Sequence, residues 1–374
     1  MAERRKQVKH RFIISGGGTG GHIFPAIAIA NEIKAREPEA EILFVGAEGK
    51  MEMEKVPAAG YKIVGLKIQG IKRSLSLSNL LVPFKLLGAL NEASKIIKEF
   101  KPDAVIGVGG YASGAVLYSA AQKKIPTLIQ EQNSFPGITN RILSRRVKRI
   151  CVAYEGMERF FPASKIVMTG NPVRSEIVAP GNARNEAFTF FELDPSRFTV
   201  LVVGGSLGAR SINQAMAGCV RKLVENGIQV LWQTGKGNAE QAREAVQNLG
   251  NAVKVHEFIA RMDLAYAVSN LVVSRAGAIA VSELCLVKKP CILVPFPFAA
   301  EDHQTSNAKS LSDNGAAVLL RDDLVKEKLG NEILGLYADE NRRHSMTESM
   351  EKLARPDAAA QITNEIFNLI ATRK

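Results

Sequence analysis

Arg11-Phe-Ile-Ile-Ser15 runs directly into Gly16-Gly-Gly-Thr-Gly-Gly21, and a helix-spaced apolar stretch from Ile23 to Glu37 follows. Ile27, Ala28, Ala30 and Ile33 recur at the 3.6-residue period of one helix face. Glu41-Ile-Leu-Phe-Val-Gly46 then reads as a second short strand. Strand, glycine turn, helix, strand is a βαβ unit, and such units lay down a parallel, doubly wound sheet.

The plan returns further on. Phe198-Thr-Val-Leu-Val-Val203 predicts a strand, Gly204-Gly-Ser-Leu-Gly208 a turn, and Ser211 to Leu223 a helix. Strands are expected again over Gln229–Gln233, Leu271–Ser274 and Cys291–Val294. Gly170-Asn-Pro-Val-Arg174 and the polar stretch Ala179–Asn185 read as a linker. The expectation is therefore two Rossmann-like α/β domains, 1–173 and 174–357, with a last helix over 358–374 whose candidate partner is the first domain. A chain of 374 residues suits two cores of roughly 150–200 residues each.

Bulk properties narrow the partners. Lys and Arg number 49 against 37 Asp and Glu, a formal charge of +12, so the surface attracts phosphates. With one Trp and no basic run interleaved with aromatics, nucleic acid ranks last. Cys151, Cys219, Cys285 and Cys291 are scattered among apolar residues without metal spacing, which fits a reducing compartment. Met1–His10 is charged and lacks the apolar segment of a signal peptide. Ala104 to Ala121 holds no charge, yet its glycines break it into a strand, a loop and a small-residue helix rather than a membrane span.

A glycine loop entering a helix aims several backbone N–H groups at one spot, where the helix dipole adds positive potential; phosphate is the natural occupant. Neither Gly16–Gly21 nor Gly204–Gly208 matches a dinucleotide or Walker signature well. A third loop, Gly107-Val-Gly-Gly-Tyr-Ala-Ser-Gly114, strengthens the ligand reading over that of a bare turn.

The series is informative in its order: Gly17–His22 with Pro25, Gly109–Gly114, Glu131-Gln132-Asn133, Gly170–Arg174, Gly204–Arg210, Ser274-Arg275-Ala276-Gly277-Ala278 through Ser282-Glu283, and His303-Gln304 before Asn307-Ala308. It resembles the MurG family of peptidoglycan glycosyltransferases, glycosyltransferase family 28, from about residue 11 to about residue 355. That resemblance implies a GT-B fold, with the acceptor mainly on the first domain and the nucleotide sugar mainly on the second. It implies inverting transfer of N-acetylglucosamine (GlcNAc) from UDP-GlcNAc to the muramyl 4-hydroxyl of lipid I, giving lipid II, with no cofactor and no metal. No Asp-x-Asp motif is present, so helix N-termini and basic groups must meet the leaving diphosphate's charge.

Site residues follow from the resemblance. His22 is the candidate base, since imidazole titrates near neutrality; the alternative is a helix-end histidine that only binds phosphate or backbone. Thr19, Gly20, Gly21, Asn133, Arg174, Ser206, Ile259, Ala278, Ile279, Ala280, Val281, Ser282, Glu283 and Gln304 are the UDP-GlcNAc candidates. Among them Glu283 is expected on ribose hydroxyls, Ile259 on uracil through its backbone, and Arg174 and Ser206 on the diphosphate. Gly18, Gly109, Gly110 and Tyr111 are assigned to the acceptor side. Gln130 stands where many relatives carry His, which removes proton transfer from that position, and Thr305 replaces a Gln found in some members. Among the other histidines, His10 and His344 read as solvated and His256 as structural.

A lipid-linked acceptor implies peripheral attachment to the cytoplasmic face of a bacterial membrane. Leu80, Leu81, Phe84 and Leu87 with Lys72, Arg73 and Lys85 form the expected patch, each cation adding about 1 kcal/mol near an anionic leaflet. Leu86, Leu90, Ala93, Ile97 and Phe100 share a spacing that faces the sheet, and Arg4, Arg5, Lys6 and Lys9 could assist binding. Other cell-wall synthesis and division proteins are further candidate partners. The competing readings are a glycolipid synthase using another UDP-sugar, a non-catalytic nucleotide-sugar sensor or scaffold, and, least favoured, a dehydrogenase.

Overall fold

A computed structural model describes residues 9–68, 82–174, 177, 183–205 and 208–372, with the side chains of all of these except 82–86, 183 and 300. The chain divides into two compact units, Met1–Arg174 with Asp357–Lys374, and Ser175–Pro356.

In the first unit, β1 (Arg11–Ser15), β2 (Glu41–Ala47), β3 (Lys62–Leu66), β4 (Ala104–Gly107), β5 (Thr127–Glu131), β6 (Arg149–Val152) and β7 (Ile166–Met168) form one sheet in the order β3-β2-β1-β4-β5-β6-β7. Every pairing is parallel. Parallel neighbours require crossovers over the sheet faces, so both faces are covered and the strands are apolar throughout. β1 displays this directly. Phe12 and Ile14 pack with the helix Gly20–Arg36 on one face, while Ile13 packs with the helices Val82–Phe100 and Tyr111–Gln122 on the other.

The helix Ala358–Ala371 closes the first of those faces. Ile362 and Ile366 are fully buried there, and Phe367 meets the Phe12 ring at 5.8 Å. Arg36 donates to the Ala360 carbonyl at 2.9 Å, and Arg149 pairs with Glu365 at 2.9 Å. His10 is not solvated. Its Nδ1 meets Glu37 Oε2 at 2.8 Å and its ring packs edge-on to Phe367, because the fold brings the start of β1 beside the end of the helix Gly20–Arg36. His344 does remain exposed, pairing with Glu348 one helical turn on.

The second unit repeats the architecture with β8 (Thr199–Val203), β9 (Gln229–Gln233), β10 (Val253–His256), β11 (Leu271–Ser274), β12 (Cys291–Leu293) and β13 (Ala317–Leu319). Their order is β10-β9-β8-β11-β12-β13, again parallel throughout. The buried Trp232 joins the helices Arg210–Glu225 and Val325–Ala338 in one cluster, and its indole donates to Asn213 Oδ1 at 2.9 Å. Burial pushes the Cys219 and Cys285 thiols up to about 11 and about 12, and raises those of Cys151 and Cys291 as well.

The order in which strands are added reverses once in each sheet, between β1 and β4 in the first unit and between β8 and β11 in the second. Open α/β sheets bind ligands outside the carboxyl ends of the strands at such a switch point. The glycine loops follow those strands.

Candidate active site

At the first switch point the helix Gly20–Arg36 begins three residues earlier than its apolar period implies, so Gly20 and Gly21 form its opening turn. Thr19 is its N-cap, makes no side-chain capping bond, and no acidic residue stands in the first turn. The backbone amides there keep their positive end toward solvent. Pro25 has no N–H to return to the carbonyl of Gly21, which loosens the helix near the same corner. The guanidinium of Arg174 lies 5.3 Å from the Phe24 ring, adding a cation beside that turn.

Gly109 and Gly110 follow β4 with φ of 100° and 90°, values that exclude most side chains. A Cβ on Gly109 would stand 2.8 Å from His22 Nε2, and one on Gly110 would stand 2.8 Å from the Gly17 carbonyl. The two loops therefore touch backbone to backbone, and the imidazole lies against Gly109. Tyr111, half exposed, opens the helix behind them. Gly110 caps that helix without a side-chain bond, and no acidic residue enters its first turn.

His22 Nδ1 lies 3.0 Å from the Gly17 carbonyl oxygen. A carbonyl only accepts, so Nδ1 is the donor and a neutral ring carries its lone pair on Nε2. The same peptide group is engaged on its other side: the Gly18 N–H donates to Glu52 Oε2 at 2.8 Å. Glu52 also accepts from the Ala47 N–H at 3.0 Å and is 1% exposed. A Cβ at Gly17 would overlap this carboxylate, so glycine makes room for it.

The loop after β5 is organised by a second buried carboxylate. Glu131 accepts from the Asn133 N–H at 3.0 Å, from Asn140 Nδ2 at 2.8 Å and from the Gly137 N–H at 3.3 Å. Burial pushes its carboxyl above the usual range, and those donors pull it back. Asn133 Nδ2 also reaches Glu131 Oε1, so this candidate sugar contact is partly committed to its own loop. Gln130 is fully buried and donates to Asn171 Oδ1 at 2.9 Å. Asn171 Nδ2 in turn donates to the Gln132 carbonyl at 3.0 Å, and Gln132 Nε2 to the Val108 carbonyl at 2.9 Å. These amides join the ends of β4 and β5 to the Gly170–Arg174 segment.

At the second switch point the helix Ala278–Val287 begins after Gly277, with no side-chain cap and no acid in its first turn. Ala278, Ile279 and Ala280 supply its first three amides. Val281 faces the core, and its N–H donates to the Gly277 carbonyl at 3.0 Å. Ser282 Oγ donates to the Ala278 carbonyl at 3.0 Å. Glu283 lies past the first turn, buried, and accepts from the Tyr266 hydroxyl at 3.0 Å. Ile259 is buried with its N–H on Gln233 Oε1 at 2.9 Å. Gln233 Nε2 donates to the Gly205 carbonyl at 3.1 Å, tying that loop to β9. Gln304 Oε1 accepts from the Phe296 N–H at 2.9 Å, which orients its amide. Arg275 donates to Ser211 Oγ at 2.8 Å and to Asp322, bracing the helix start. Ser206 lies outside the described residues.

Glu52, Tyr266 and Gln233 hold the loops and do not stand out in the sequence, whereas Glu131 stands in the motif series without a role of its own. Glu52 meets Gly18, Gln233 meets Gly205 and Ile259, and Tyr266 meets Glu283 across 17 to 34 residues, and Glu52 in a first helical turn looks like an ordinary N-terminal charge. In the expected membrane stretch, Ala89, Ala93 and Ile97 are buried and Leu87 is 64% exposed. Lys72, Arg73, Leu80 and Leu81 lie outside the described residues, as do the side chains of Phe84, Lys85 and Leu86. No helix among the described residues is long and apolar enough to cross a membrane.

Residues 12–152 match the glycosyltransferase family 28 N-terminal domain, and residues 199–362 match its C-terminal domain. The chain belongs to glycosyltransferase family 28. Among its family 28 relatives, the Cytophaga hutchinsonii protein is 53% identical, covering 98% of this chain and 99% of that protein. The Porphyromonas gingivalis W83 protein is 52% identical, covering 100% and 99%. Both are named UDP-N-acetylglucosamine–N-acetylmuramyl-(pentapeptide) pyrophosphoryl-undecaprenol N-acetylglucosamine transferase. The crystal structure of Acinetobacter baumannii MurG, 31% identical, superposes with a TM-score of 0.76 over 96% of this chain and all of that one. These matches establish the GT-B fold of this family 28 chain and its standing as a glycosyltransferase.

Proposed function

We propose that this protein transfers GlcNAc from UDP-GlcNAc to the muramyl 4-hydroxyl of a polyprenyl-diphosphate-linked muramyl peptide, lipid I. The relatives' names supply the reaction class, and the residues at the two switch points supply a chemistry for it. The observation that supports the mechanism is the Nδ1 bond of His22, which makes Nε2 the basic nitrogen of a neutral ring.

In this reading the acceptor oxygen attacks the sugar C1 in line as the C1–O bond to the β-phosphate breaks, which inverts configuration. The hydroxyl proton passes to His22 Nε2, and UDP leaves. Amides of Ala278, Ile279 and Ala280 with Arg174 and the Ser206 loop meet the diphosphate charge without a metal. Glu283, held by Tyr266, takes ribose hydroxyls; Ile259 meets uracil, and Thr19, Asn133 and Gln304 meet the sugar. Gly18, Gly109, Gly110 and Tyr111 line the acceptor side. The +12 charge and the exposed Leu87 support attachment to an anionic membrane surface at the cytoplasmic face.

The test is UDP release from UDP-GlcNAc with a soluble lipid I analogue, with and without chelator. Turnover that survives chelation is expected. UDP-galactose turnover without UDP-GlcNAc turnover would point instead to a glycolipid synthase, and binding without transfer to a sensor.

A further inference from the structure

A carboxylate and an imidazole are attached to opposite ends of one peptide group. The Gly17–Gly18 amide gives its N–H to Glu52 Oε2 at 2.8 Å, and its carbonyl accepts from His22 Nδ1 at 3.0 Å. An amide is polarisable along that line. An anion on the N–H side shifts electron density to the carbonyl oxygen and makes it a stronger acceptor, the cooperativity of linked hydrogen bonds. The effect is strongest where water is excluded, and Glu52 is 1% exposed.

We propose that Glu52 is a positioning residue for His22, acting through the Gly17–Gly18 peptide as the carboxylate of a hydrolase triad acts directly on its histidine. This rests on the proposed role of His22 as base. Glu52 holds the ring in the Nδ1–H form and favours the imidazolium that forms when Nε2 takes the acceptor's proton. The Nδ1 proton stays on Nδ1, because the carbonyl cannot receive it. Glu52 itself does not change protonation.

Three features fit such a relay better than loop tethering alone. Glu52 has a second anchor, the Ala47 N–H at the end of β2, so its carboxylate is aimed rather than merely buried. Glycine at 17 and at 46 leaves the space it fills. Glycine at 109 keeps the opposite edge of the imidazole open, since an added Cβ there would stand 2.8 Å from His22 Nε2. Among the described residues, Glu52 from its own helix and Arg174 over Phe24 bring ionisable groups to the corner, and the β4 loop brings Gly109, Gly110 and then Tyr111.

The test begins with the wild-type chain. With 15N-histidine labelling, and the His22 signal assigned by its loss in His22→Gln, the neutral ring should show Nδ1 protonated and Nε2 unprotonated. An Nε2–H tautomer overturns the proposal whether or not Glu52→Gln folds. Glu52→Gln, checked for an unchanged melting curve, should lower kcat about tenfold or more, with KM for UDP-GlcNAc within about twofold. The acid limb of its kcat–pH profile should move down by about half a unit or more, since the imidazolium loses its anion. Unchanged kcat and an unmoved limb overturn the relay. Absence of any UDP-GlcNAc turnover by the wild type would instead sink the proposed function, while the tautomer still decides the relay.

Discussion

The Tyr266 hydroxyl donates to Glu283 Oε2 across 3.0 Å, joining the helices Met262–Val268 and Ala278–Val287 through two buried side chains. A carboxylate held this way keeps one orientation before any sugar arrives. Tyr266→Phe removes one bond to a charged acceptor, worth about 1.5–3 kcal/mol. The expected outcome is a KM for UDP-GlcNAc raised roughly tenfold with kcat little changed, and a larger rise for Glu283→Ala. Steady-state kinetics on both variants checks this, and an unchanged KM in each would remove Glu283 from the donor site.

Gly109→Ala tests the packing of His22, the proposed base. Its φ of 100° strains any side chain, and the new Cβ would stand 2.8 Å from His22 Nε2. Loss of kcat by about tenfold or more is expected, with UDP binding retained. Gly218→Ala, in a helix with nothing within 4 Å of the added carbon, should be fully active and about 0.5–1 kcal/mol more stable.

Lys289 donates to the Ser269 carbonyl at 2.7 Å, and burial, then Arg184, depresses its ammonium from 10.5 to about 8. Below pH 8 the group is charged in both states, so its burial destabilises the fold fully. Between about pH 8 and 10.5 the unfolded chain holds a proton that the folded chain has lost, and stability rises with pH. Lys289→Met should therefore be more stable than wild type at pH 7, by about 2 kcal/mol. The gap should close as pH approaches 10.5. The thiols at about 11 and about 12 pull stability the other way in both proteins and cancel in the difference. Urea titrations at pH 7 and pH 10 measure it, and a gap that widens would show the sign to be wrong.

Ile366→Ala should destabilise the first unit by about 2–5 kcal/mol, because a fully buried side chain beneath Phe12 leaves a cavity. The single tryptophan, Trp232, sits in the core of the second unit. The circular-dichroism melt should gain an earlier step while the Trp232 emission transition stays in place. An unaltered melt would mean that the last helix contributes nothing to that core.

The βαβ plan, both glycine turns and the division into two units could be read from residues within one or two helical turns of each other. Periodicity of 2 or 3.6, glycine at a strand end and an apolar strand are local properties, and local physics decides them. The same holds for a helix following the first glycine loop and for His22 at its entry. Its opening turn at Gly20 and Gly21 was hidden because glycine carries no periodic signal.

Sequence by itself thus determined the two α/β units, the switch-point loops and the imidazole at the first of them. Tertiary structure alone decided which buried carboxylate serves which loop. Glu52 reaches Gly18 across 34 residues, Tyr266 reaches Glu283 across 17, and Gln130 reaches Asn171 across 41. These pairings form only where crossover helices return to a common sheet edge. A buried charge there persists because several amides or hydroxyls, drawn from distant segments, replace the water it lost.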